Sequence, residues 1–127
     1  MGLTVAAAYN VMLLLSFVIS GVGTALLARR LGASRSGTAL GGFVFAFNPF
    51  HVDHAIHVQT MEVCWSPFAL LGLEMTLARD GRIKGPVLMA SALVMTALCG
   101  MYFGLLLPLV LSLYAIISWL WSSRHLG

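Results

Sequence analysis

The side chains able to do chemistry gather in HVDHAIHVQTMEVCW, residues 51–65. His51, His54 and His57, three of the chain's four histidines, fall within seven positions, with Asp53 among them and Gln59, Glu62 and Trp65 following. Imidazole changes charge near neutral pH, so such a group can move protons, bind phosphate or hold a metal ion. Read as a helix, the histidines recur at every third residue and drift around one broad face. Asp53 and His57 stand at i and i+4, on neighbouring turns.

Three readings of this segment stay open. Imidazole and carboxylate suit zinc and similar ions, so a divalent metal ion is one ligand. The spacing lacks the second ligand group that defines a zinc-finger pattern, and no metal site is assigned. The second reading is an interfacial segment, its polar groups in water and headgroups, with Phe50, Val52, Ile56 and Val58 towards lipid. The third is a substrate site, to which Glu62 adds an acid and Trp65 an aromatic platform. Trp65 and Tyr102 also follow the general preference of aromatic residues for membrane interfaces.

The elements that must position these groups follow from composition. Of 127 residues, 60% are hydrophobic and 9% are charged, and the mean hydropathy is +0.96. A soluble domain carries about 25% charged residues to cover its surface. Seven basic and four acidic side chains cannot do so here, so the solvent for most of the chain is lipid. The class is all-α, a polytopic transmembrane bundle forming a single domain over residues 1–127. The basic residues form no patch, which excludes a nucleic-acid partner.

They fall instead into three clusters: Arg29, Arg30 and Arg35; Arg79, Arg82 and Lys84; and Arg124. Cytoplasmic loops collect Lys and Arg, so all three belong on the cytoplasmic side. Each stretch between clusters must then cross the membrane an even number of times. Residues 36–78 hold two apolar runs around the histidine segment. The uncharged run 85–123 is long enough, at about 1.5 Å per residue, for two crossings, with CGMYFG at 99–104 as its turn. Five membrane helices are expected, at 4–28, 36–50, 62–79, 85–99 and 102–122, with an outer interfacial segment at 51–61. The N-terminus and segment 51–61 face away from the cytoplasm. Loops 29–35 and 79–84 and the C-terminus lie inside.

Two of these spans, 36–50 and 85–99, are short, as in helices that neighbours shelter or that line a water-filled cavity. Gly37 and Gly41, and the GVG at 21–23, read as helix-packing positions. Pro108 is expected to kink the last helix, and Pro67 falls in an opening turn where proline is tolerated. Asn10, within the first helix beside Tyr9, reads as a bond to a neighbouring helix. Glu74 lies inside a span near Arg79 and Arg82, towards which it can snorkel. Cys64 and Cys99 both map to outer helix ends, where pairing is chemically allowed.

The order of AYNVMLLLSFVISGVGTALLARRL, GGFVFAFNPFHVDHAIHVQTMEVCWSPFALLGLE and ALVMTALCGMYFGLLLPL resembles bacterial multispanning proteins of the GT-C glycosyltransferase superfamily. Its most specific part is F-x-P-[FY], H-x-x-H-x-Q and W-x-P-[FL], here Phe47, Pro49, Phe50, His54, His57, Gln59, Trp65, Pro67 and Phe68. His51 and Asp53 stand outside that pattern. The resemblance implies transfer of a sugar from a polyprenyl-phosphate carrier on the outer face of the bacterial cytoplasmic membrane. His54, His57, Gln59, Trp65 and Tyr102 would then contact phosphate or sugar, with His51, Asp53 and Glu62 as weaker candidates. It also implies a fragment, lacking the first outer loop that carries the family's catalytic acid and needing the missing helices as partners. The alternatives are part of a transporter or permease with a His-based proton or metal-ion site, and a structural membrane subunit.

Overall fold

The structure, a computed structural model, describes residues 2–53, 63–80 and 83–125. His54, His57, Gln59 and Glu62 therefore lie outside the described residues. The described residues form helices and no strand. They are α1 (Gly2–Arg30), α2 (Arg35–Ala46), α3 (Pro49–Asp53), α4 (Ser66–Leu77), α5 (Lys84–Cys99) and α6 (Met101–His125).

Local sequence explains where each helix stops. α1 ends at Arg30, two residues before Gly32, whose φ of +88° carries the chain into the left-handed region that glycine tolerates. Ser34 then caps α2, its hydroxyl accepting from the Gly37 N–H at 3.2 Å. The helix expected over 36–50 is divided. α2 stops at Ala46, because Pro49 has no N–H and its ring would clash with the carbonyl of Phe45. Asn48 restarts the chain: its Oδ1 accepts from the His51 N–H at 2.9 Å, and α3 begins. The helix expected over 62–79 is also shorter. Residues 63–65 form a 3₁₀ turn, and α4 starts with Pro67 in its first turn. It ends where Arg79 takes a φ of +54°.

Among the described residues two helices are long and apolar enough to cross a membrane, Thr4–Arg30 and Met101–Ser122. α2 and α4 have 12 residues each and α5 has 16. At about 1.5 Å per residue these stay short of the roughly 30 Å hydrocarbon core. α6 runs unbroken through Pro108.

The helices form successive hairpins. α1 pairs with α2 and α4 with α5, while α1 also packs on α4 and α6 on both α4 and α5. Small residues set the closest approaches. A Cβ on Gly42 would stand 2.7 Å from the Gly21 carbonyl oxygen, and one on Gly72 would stand 2.5 Å from the Met89 nitrogen. Gly21 is thus a packing glycine as expected. Its partner is Gly42 rather than Gly41, whose Cβ would meet only Ala28 at 3.9 Å. The core is Ala69, Leu73, Ala92, Leu107 and Leu111. The most completely buried side chains of any size are Thr96 and Ser20. Both hydroxyls donate to carbonyls of their own helix, Ala92 and Phe17.

The first two basic clusters meet at one end. Arg30, closing α1, pairs with Asp80, just past α4, at 2.6 Å.

Candidate functional site

The site begins where α2 breaks. Because α2 rises only about 18 Å, α3 meets α1 beside Phe17, near the middle of that helix, rather than at its end. His51 is the buried residue of α3, with 2% of its surface exposed. Its ring lies 5.3 Å from that of Phe17 and 6.5 Å from that of Phe45, the latter edge-on. Phe17 in turn stacks on Phe47 at 5.3 Å. His51 thus sits in an aromatic nest built by three elements.

Neither ring nitrogen of His51 has a hydrogen-bond partner among the described residues. An uncharged imidazole is the form able to accept a proton or a bond. Buried polar groups are normally paired, so this ring marks a place where a partner is expected.

Among the described candidates His51, which stands outside the sequence pattern, is the most deeply buried. Asp53, also outside the pattern, is exposed at the end of α3. Trp65 is half-buried, its ring 6.2 Å from that of Phe68, and it packs against the core. Tyr102 is 74% exposed at the α5–α6 hairpin, edge-on to Phe103. Phe103 is also 6.3 Å from Phe50 of α3, which brings the start of the histidine segment beside that hairpin.

An apolar groove runs down from this nest between α1 and α2. It is lined by Phe17, Val18, Gly21, Gly42, Phe43 and Phe47, among others, and it opens to the surface. The glycine contact of Gly21 and Gly42 forms its floor, and Phe17 belongs to both groove and nest.

Two further observations bear on the earlier expectations. Cys64 and Cys99 are free thiols, the first buried and the second exposed. Glu74 accepts a hydrogen bond from the Tyr114 hydroxyl of α6. Sequence reasoning placed its partner among the arginines and passed over Tyr114. The available signal was a phenol inside an apolar helix, a residue type that seeks a partner when buried. Among the described residues no group of three or more His, Cys, Asp or Glu side chains converges as a metal site.

No family model matches the chain, and neither a curated protein nor a solved structure does.

Proposed function

We propose that the chain is part of an integral membrane glycosyltransferase that uses a polyprenyl-phosphate-linked sugar on the extracytoplasmic side. The observation that carries this reading is the continuity of the α1–α2 groove with the His51 nest. A lipid-linked donor has a long apolar chain and a phosphate head. It needs a groove open to lipid that ends at polar side chains. The groove stops beside the His51 nest, so the chain would lie along Phe43 and Phe47 and its head beside His51.

The membrane setting has its own support. Leu98, Val5, Leu105 and Trp121 are exposed while Ser16, Ser20 and Thr96 are buried. An exterior more apolar than parts of the interior suits lipid as solvent. The proposed placement has five crossings, with α2, α4 and α5 too short to cross alone and sheltered by neighbours. The basic ends of α1 and α4, joined by Arg30 and Asp80, face the cytoplasm.

The test is sugar transfer in membranes containing the full-length protein. Alanine at His54 or at His57 should abolish transfer at unchanged protein level. Wild-type transfer by both variants would end this reading.

One observation favours a second reading, a proton or metal-ion site in a transporter. α2 and α3 form a broken helix with His51 near mid-length of α1, and transport sites sit on broken helices near the membrane midplane. Ion or proton uptake by vesicles that persists without any lipid-linked sugar, and that fails in His51→Ala, would select it.

A further inference from the structure

At the end of α2 opposite His51 is a pocket of about 320 Å³ lined by Arg29, Ala33, Arg35 and Thr38. We propose that it binds a phosphate ester, presented by the headgroup of an anionic phospholipid or as free phosphate. The lipid source rests on the membrane placement given above.

Charge is the first argument. Arg29 closes α1 and Arg35 opens α2, so the tight turn at Gly32 brings two guanidinium-bearing residues onto one pocket. Their neighbour Arg30 is occupied by Asp80. Glu74 is occupied by Tyr114 on α6. Among the described residues, neither Arg29 nor Arg35 has a carboxylate in ion-pair reach. The pocket therefore carries two positive charges and no negative one. Arginine's planar fork matches phosphate oxygens in pairs.

The hydroxyl of Thr38 is the second argument. Thr38 lines the same pocket, and its Oγ1 is buried without a partner among the described residues. A buried hydroxyl left unpaired carries a desolvation penalty, and a phosphate oxygen is an acceptor it could meet. The first turn of α2 also lies here. Ser34 satisfies the Gly37 N–H, while the amides of Arg35 and Ser36 precede any intrahelical acceptor.

Position is the third. A basic pocket between membrane helices on the cytoplasmic side is where anionic headgroups settle. With α1 and α2 crossing from this end, the pocket would face the headgroup layer.

The experiment uses the purified chain in detergent micelles, with bound species counted by native mass spectrometry. Phosphatidylglycerol, phosphatidylcholine and inorganic phosphate are titrated separately, and phosphate is also titrated against bound phosphatidylglycerol. Phosphatidylglycerol should bind in preference to phosphatidylcholine. Arg29→Gln and Arg35→Gln should each weaken it about fivefold, from the usual contribution of one basic residue near an anionic surface. Thr38→Val should weaken it less, and Lys84→Gln, outside the pocket, should leave it unchanged. Displacement by millimolar phosphate would identify free phosphate as the ligand, and failure to displace would identify the lipid. Either result upholds the site. Equal binding of phosphatidylcholine, or an equal loss in Lys84→Gln and Arg29→Gln, overturns it. The membrane placement is read separately by alkaline carbonate extraction. A chain released to the supernatant would refute that placement, while the phosphate titration would still judge the pocket.

Discussion

Tyr114 of α6 donates a hydrogen bond to the carboxylate of Glu74 on α4. The two residues are forty positions apart, and the bond lies beside the core contact of Leu73 and Leu111. It ties the last helix to the centre of the bundle through a polar pair in an otherwise apolar layer. Tyr114→Phe should lower stability by about 1 kcal/mol, within the range for interhelical hydrogen bonds in membranes. Glu74→Leu should cost more, because it strands the phenol hydroxyl, whereas Glu74→Gln keeps an acceptor and should cost less than either. Unfolding midpoints in mixed micelles rank the three variants. An unaltered midpoint in Tyr114→Phe would mean that the pair adds nothing to folding.

His51 holds an imidazole without a partner, among the described residues, inside an aromatic nest. His51→Phe fills the same nest and removes both unpartnered nitrogens. A buried polar group left unpaired costs about 1–3 kcal/mol, so the variant should equal or exceed wild type in thermal midpoint in mixed micelles. A midpoint well below wild type would mean that the imidazole makes a bond in the fold that a phenyl ring cannot replace.

These two residues also mark how far the sequence could be read. Helix-rich architecture and the hairpin near Gly100 follow from apolar runs and turn residues. The break at Phe47–Asn48 was carried by Pro49, a residue that halts a helix whose ring would meet the preceding turn. Reading the run by hydropathy alone carried the helix on to 50. His51 looked peripheral because pattern and spacing say nothing about depth. Its burial comes from the short rise of α2, which sets α3 against Phe17. Tyr114 was passed over because a partner forty residues away leaves no periodic trace. Glu74 was matched instead to the arginines nearest in sequence.

The α1–α2 seam should tolerate substitution at one glycine and refuse it at the next. A Cβ on Gly42 would stand 2.7 Å from the Gly21 carbonyl oxygen, against 3.9 Å to the nearest atom for one on Gly41. Alanine is the better helix former by about 1 kcal/mol. Gly41→Ala should therefore be neutral or stabilising. Gly42→Ala must push two backbones apart, and overpacking of this kind costs about 1–3 kcal/mol. The same change narrows the groove beneath His51, so on the proposed function it should also reduce sugar transfer. Thermal midpoints of the two variants decide the packing claim, and equal midpoints would contradict it.

The proposed orientation can be tested with a native thiol. Cys99 is exposed at the end of α5, next to the Gly100 turn, and Cys64 is buried. With the basic ends of α1 and α4 inside, that turn faces out. An impermeant maleimide added to intact spheroplasts should label the wild-type chain, and Cys99→Ser should abolish the labelling. In a Cys99→Ser background, Ala33→Cys places a thiol in the turn between Arg30 and Arg35, where Ala33 is exposed. It should stay unlabelled until the membrane is permeabilised. The two thiols stand at opposite ends of the fold, so opposite outcomes at both sites would invert the orientation. Immediate labelling at both would mean that the chain between them does not cross. Only the expected pair of results is compatible with a histidine segment that works on the outer face.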